Sequence, residues 1–273
     1  MRRKLAIIPS GGGMTCSYTA GVIYALTKKY KLTNPDLVIT GSGSAGTLAY
    51  YTAKQYESIK NIWTNLLSTK KFVNPYRFWK IIDIDYLIDD VFQKQVPLDI
   101  KSIKESKIQF FVSTTDYNTG ELQYFSNREN VDFFKLLKAT KAMPLAYNKP
   151  VYLNEKRYCD TSKSSSPYVH IQKALEEDAT EILLIDTTTE KNIVTQLGFN
   201  TWLKLRSNKF RENYENIIER TDFKENLFII KPKEELQITT LDHNKKLLTE
   251  TFAQGYKEMM ENRDFQKVFN QYC

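Results

Sequence analysis

The chain has 273 residues, 41% hydrophobic and 13% aromatic, which is enough to bury one large core and sits at the upper end of what a single domain holds. Its 39 Lys and Arg against 32 Asp and Glu leave a net charge of +7, which suits anionic surfaces such as acidic lipid headgroups and, on charge alone, permits nucleic acid. Three cysteines without CxxC spacing (Cys16, Cys159, Cys273) speak against a disulfide framework and a zinc site, and no stretch approaches the roughly 18 apolar residues of a membrane span.

Taken in chain order, Arg2, Arg3 and Lys4 precede an apolar run, Leu5 to Ile8, too short for a signal-peptide core. A cytoplasmic protein that meets membranes only from outside is expected. Residues 4–8 (KLAII) read as a buried strand ended by Pro9, and Tyr18, Val22, Ala25 and Leu26 then share one helical face. Residues 36–40 (DLVIT) form the next strand, broken by Gly-Ser-Gly, after which 45–67 reads as helix. Residues 69–82 (TKKFVNPYRFWKII) interleave Lys70, Lys71, Arg77 and Lys80 with Phe72, Tyr76, Phe78 and Trp79. A half-buried helix is the simpler reading of that stretch, and an interfacial membrane contact the sharper one. Further runs at 108–113, 180–185 and 227–231 alternate with helical segments near 131–141, 168–176, 202–219 and 244–260. Such alternation predicts an α/β fold of three layers around a mainly parallel sheet, as one domain spanning 1–273.

In such a sheet reactive groups gather where strands turn into helices and backbone N–H groups are unpaired. Two segments have that form. Gly11-Gly12-Gly13 after the first strand lets amides approach an anion closely, because no Cβ intervenes. Ser42-Gly43-Ser44-Ala45-Gly46 after the second surrounds Ser44 with small residues, as a sharp strand-to-helix turn carrying a nucleophile requires. A phosphate-binding reading of the glycines is weak, since no Gly-Lys-Ser/Thr follows them. A serine nucleophile needs a base. The only histidines, His170 and His243, read as surface or capping residues, whereas Asp116, Asp160 and Asp186 each follow a strand; spacing does not choose among the three.

These motifs together resemble the patatin-like phospholipases. Residues 10–16 (SGGGMTC) are similar to that family's oxyanion loop, and 36–48 (DLVITGSGSAGTL) to its nucleophile motif. Residues 110–125 (FFVSTTDYNTGELQYF) look like its central strand and hairpin, and 139–160 (ATKAMPLAYNKPVYLNEKRYCD) like its approach to the catalytic aspartate; 228–258 are similar to the C-terminal part of bacterial members. The resemblance implies a patatin-like three-layer fold and a Ser-Asp dyad. In it Ser44 attacks an ester carbonyl, Asp160 takes the proton, and amides of Gly11, Gly12, Gly13 and Met14 hold the oxyanion. Ser42, Gly43, Ala45 and Gly46 would form the elbow around Ser44. The implied substrate is a phospholipid or other acyl-ester lipid, with peripheral membrane contact, no nucleic acid, no cofactor and no metal.

Three motifs depart from the family pattern: Ser42 stands at the first glycine of the nucleophile motif, Thr15 and Cys16 replace a basic residue and a glycine of the oxyanion loop, and Thr161-Ser162 follow the aspartate. Two other readings therefore stand beside the hydrolase. One is a patatin-like scaffold that binds lipid without turnover, and the other a Ser-His-Asp hydrolase with His243 as base.

Overall fold

A computed structural model describes residues 3–77, 79–188, 193–221 and 226–269. Eight strands make one sheet: β1 (Leu5–Pro9), β2 (Leu37–Thr40), β3 (Gln109–Asp116), β4 (Leu122–Ser126), β5 (Val151–Leu153), β6 (Lys156–Cys159), β7 (Glu181–Ile185) and β8 (Leu227–Ile230). Their order is β5-β6-β3-β2-β1-β7-β8, with β4 also paired to β3. The five strands from β3 to β8 along that order run parallel, with Ile7 opposite both Val38 and Leu183, while β4, β5 and β6 are antiparallel additions.

Every residue of β1, β2 and β7 is buried, as parallel strands covered on both faces must be. Side chains alternate between the faces: Leu5 and Ile7 enter the larger core cluster, Ala6 and Ile8 the smaller. Helices α1 (Cys16–Lys28) and α2 (Ser44–Thr52), together with helix Lys245–Met260, cover the first face; helix Pro167–Glu176 covers the second. α1 and helix Lys245–Met260 cross at backbone distance. A Cβ on Gly21 would stand 2.1 Å from the Phe252 carbonyl oxygen, and one on Gly255 2.2 Å from that of Tyr18.

The mainly parallel sheet between helical layers is the architecture expected, but some local readings differ. The helix expected over 45–67 stops at Thr52, where Lys54 takes φ 61°. It restarts as Tyr56–Asn61 and widens into a π-helical turn over Ile62–Leu66. The segment expected near 202–219 is two helices, Ile193–Lys204 and Asn208–Glu215, the second capped by the Ser207 hydroxyl accepting from the Phe210 amide at 3.2 Å. The described residues of 69–82 are not helical: Pro75 supplies no amide and the Asn74 side chain accepts from the Tyr76 N–H at 3.1 Å, so the chain turns, and Val73 pairs with Ile82. Phe72 and Val73 point inward, Tyr76 and Trp79 are 83% and 56% exposed, and Phe78 lies outside the described residues. The β5–β6 hairpin, turned by Asn154 and Glu155 at φ 47° and 67°, was not legible in the sequence; it delivers Asp160 just past the end of β6.

Candidate active site

The loop after β1 is tied down by three of its amides. Ser10 N–H donates to the Ile185 carbonyl at 2.8 Å, Gly11 N–H to that of Ser165 at 2.8 Å, and Met14 N–H to that of Thr240 at 3.2 Å. Between these anchors Gly12 and Gly13 take φ 136° and 59°, and a Cβ on Gly13 would stand 2.5 Å from the Thr240 carbonyl oxygen. The amides of Gly12 and Gly13 donate no hydrogen bond among the described residues. Of the four residues expected to form an oxyanion cradle, Gly11 and Met14 therefore spend their N–H groups on the scaffold.

The turn after β2 sets its two serines very differently. Ser42, two residues past the strand, is at φ 54°, a region costly for a residue with a Cβ. It is held there from three sides: its N–H donates to Thr140 Oγ1 at 2.8 Å, and its carbonyl accepts from Ala45 N–H at 3.2 Å and from Lys141 Nζ at 2.5 Å. Its hydroxyl donates to Asp160 Oδ2 at 2.6 Å. Ser44, the first residue of α2, points its Oγ elsewhere, to the Ser10 carbonyl at 2.5 Å, with the Cys16 sulfur at 3.3 Å. The two carboxylate oxygens of Asp160 accept from Ser42 and Ser164, the latter at 3.3 Å, so the pairing expected between Ser44 and Asp160 is not the one this fold makes.

Asp160 is buried, and the loss of hydration pushes its carboxyl up to about 7, against the opposing pull of the Ser42 hydrogen bond, the Lys141 charge and the Ser164 hydroxyl. Burial drives Lys141 down to about 8, with the charges of Cys16 and Asp160 acting the other way. Burial also pushes the Cys16 thiol up to about 11. Thr161, where a glycine was expected, adopts extended backbone at φ −131° and caps helix Ser162–Ser165, accepting from the Ser164 amide at 3.3 Å; a side chain is accommodated there without strain.

Ser42, Gly43, Gly46, Asp160 and Lys141 open onto one cavity, whose remaining wall is almost wholly apolar and includes Ile62, Trp63, Leu67, Phe72, Leu87 and Phe92. Gly13 and Met14 reach the same cavity; Ser44 and Ala45 do not line it. A Cβ on Gly43 would meet the Gly13 carbonyl oxygen at 2.7 Å, so loop and elbow touch, and the Gly43 amide, like that of Gly13, donates to no described residue.

The other acid and histidine candidates have structural tasks. Asp116 caps the β3–β4 turn, accepting from Asn118 and Thr119 amides at 2.8 and 3.0 Å; Asp186 takes Tyr168 at 2.8 Å and Lys231 at 3.0 Å. His170, read from sequence as a surface or capping residue, is buried between Tyr124 Oη at 2.9 Å and Ser113 Oγ at 3.3 Å, and burial lowers it to about 3, keeping it neutral. His243 does not line the cavity. No cluster of His, Cys, Asp and Glu suited to a metal occurs among the described residues, and no described helix is long and apolar enough to cross a membrane.

Residues 8–171, well over half of the chain, match the family model described as patatin-like phospholipase. Among solved structures the chain is similar to VipD from Legionella pneumophila, with 14% identity and a TM-score of 0.58 over 100% of this chain and 67% of that one, a likeness of fold. No curated protein matches it.

Proposed function

The chain belongs to the patatin-like phospholipase family, and from that premise we propose that it hydrolyses acyl esters of lipids with Ser42 as nucleophile and Asp160 as base. The observation that carries this reading is the 2.6 Å contact from the Ser42 hydroxyl to Asp160 at the wall of an apolar cavity. Ser42 Oγ attacks the ester carbonyl carbon while its proton passes to Asp160. The carbonyl oxygen becomes an oxyanion facing the Gly13 and Gly43 amides, the second belonging to the residue after the nucleophile, a usual place for such a donor. Asp160 returns the proton to the departing alkoxide. Water, deprotonated by the same carboxylate, then releases the acid and restores Ser42. Because the base must be ionised to accept a proton, activity rises with pH through about 7.

The apolar wall suits an acyl chain. Residues 67–82 line it with Leu67, Phe72, Val73 and Ile82 while presenting Tyr76 and Trp79 to solvent, which supports docking of that edge on a lipid surface. The test is fluorophosphonate labelling with hydrolysis of a lipid ester. Labelling at Ser42 with turnover supports the reading, and lipid binding without labelling or turnover selects the non-hydrolytic scaffold instead.

A further inference from the structure

We propose that Lys141 is a positioning residue of this site, whose ammonium group fixes the Ser42 elbow and holds Asp160 in the charged form that accepts the serine proton. The inference rests on the Ser42–Asp160 reading above. Three consecutive residues, Thr140, Lys141 and Ala142, bridge the nucleophile to its base. Thr140 Oγ1 accepts the Ser42 N–H at 2.8 Å, Lys141 Nζ donates to the Ser42 carbonyl at 2.5 Å, and the Ala142 carbonyl accepts the Asp160 N–H at 3.0 Å. Thr140 is itself anchored, donating to the Ser113 carbonyl at 2.7 Å.

Lys141 is only 8% exposed, yet it forms no ion pair within 4 Å of a carboxylate among the described residues. A buried ammonium of this kind costs folding energy and persists where a nearby charge or reacting group offsets it. The charged or titratable groups that face it are Asp160, past the end of β6, and Cys16, at the start of α1. Asp160 in turn faces Lys141, with the thiols of Cys16 and Cys159 beside it, and both thiols are pushed up by burial and stay neutral near pH 7. Lys141 is thus the one cation acting on this carboxylate among the described residues. No basic side chain lies on the glycine loop, where Thr15 and Cys16 occupy the positions.

The experiment measures the pH dependence of fluorophosphonate labelling and of hydrolysis of a neutral p-nitrophenyl ester, for wild type, Lys141→Met, Lys141→Arg and Ser42→Ala. Wild type should give a bell that rises as Asp160 ionises near 7 and falls as Lys141 loses its proton near 8. Lys141→Met should move the rising limb up by about one pH unit or more, as expected when an opposite charge within several ångströms is removed. It should also lower kcat at pH 7 about tenfold while leaving KM for the neutral ester unchanged. Lys141→Arg should restore the rising limb and abolish the alkaline fall, since guanidinium stays protonated. A wild-type rate that keeps climbing to pH 10 overturns the proposal even if Lys141→Met does not fold. An unmoved rising limb in a folded, labelled Lys141→Met, or an effect on KM alone, also overturns it. Wild type that is not labelled at Ser42 at all would instead overturn the Ser42–Asp160 reading on which it rests.

Discussion

Replacing the two serines of the elbow by alanine, one at a time, separates two hydroxyls that lie two residues apart and have different partners. Ser44→Ala removes a hydrogen bond to the buried Ser10 carbonyl, whose remaining side-chain contact is the Cys16 thiol at 3.8 Å. A net loss of about 1–2 kcal/mol follows, or roughly 2–8 °C in melting temperature for a chain of this size. Turnover should fall less than about tenfold, through slackening of the loop that carries Gly13. Ser42→Ala removes a hydrogen bond to a carboxylate, with a stability cost of about 1.5–3 kcal/mol, so both variants are expected to fold. Yet Ser42→Ala deletes the atom proposed to attack, and hydrolysis should drop by roughly 10^4-fold or more. The assay is p-nitrophenyl ester hydrolysis with fluorophosphonate labelling, normalised to folded protein by thermal melting. Activity retained in Ser42→Ala and lost in Ser44→Ala would refute the reasoning.

Three other outcomes are expected. Asp160→Asn should lower kcat by roughly 10^2–10^4-fold and change the pH dependence of stability. A carboxyl held near 7 when folded and about 3.9 when unfolded makes the wild type lose stability as pH rises between those values, on the order of 4 kcal/mol in all, so the variant should gain on wild type from pH 5 to pH 8 in urea melts. A stability difference that does not vary with pH would contradict that assignment. Gly13→Ala places a Cβ 2.5 Å from the Thr240 carbonyl oxygen at φ 59°, and should cost on the order of 2 kcal/mol in melting and most of the turnover; a fully active, equally stable variant would show that the loop is not held as described. Tyr76→Ser with Trp79→Ser should weaken sedimentation with anionic vesicles about tenfold and leave hydrolysis of a soluble ester unchanged, whereas equal losses on both substrates would argue against a docking edge.

The parallel strands could be read from the sequence because burial on both faces writes them as unbroken apolar runs such as LVIT and EILLI. The hairpin that presents Asp160 could not, since β5 and β6 hold three and four residues and its turn relies on Asn154 and Glu155 at positive φ without a glycine. Of the two serines, the small-x-Ser-x-Gly pattern favours Ser44, but a nucleophile elbow is defined by the strained backbone just past the strand. β2 ends at Thr40, and Ser42 is the residue there with positive φ. A signal was present: Gly41 and Gly43 bracket Ser42, and Cβ atoms at those glycines would meet the Ser164 and Gly13 carbonyls at 2.2 and 2.7 Å. Lys141 left no such trace, because a lysine after KLLKAT reads as one more solvated charge until the fold closes over it.

Thr240 and Leu248 lie well beyond the family-matched stretch, yet the first accepts the Met14 amide and the second the Ser17 hydroxyl, at 2.8 Å, while helix Lys245–Met260 presses backbone to backbone on α1. The loop proposed to cradle the anion is therefore held by segments some 230 positions apart. A ribosome-bound chain that has made the proposed nucleophile and base still lacks the clasp that shapes their partner loop. Under the proposed mechanism, esterolytic power would be deferred until synthesis has passed the last of these contacts, leaving an unfinished polypeptide poorly equipped to attack the lipids around it.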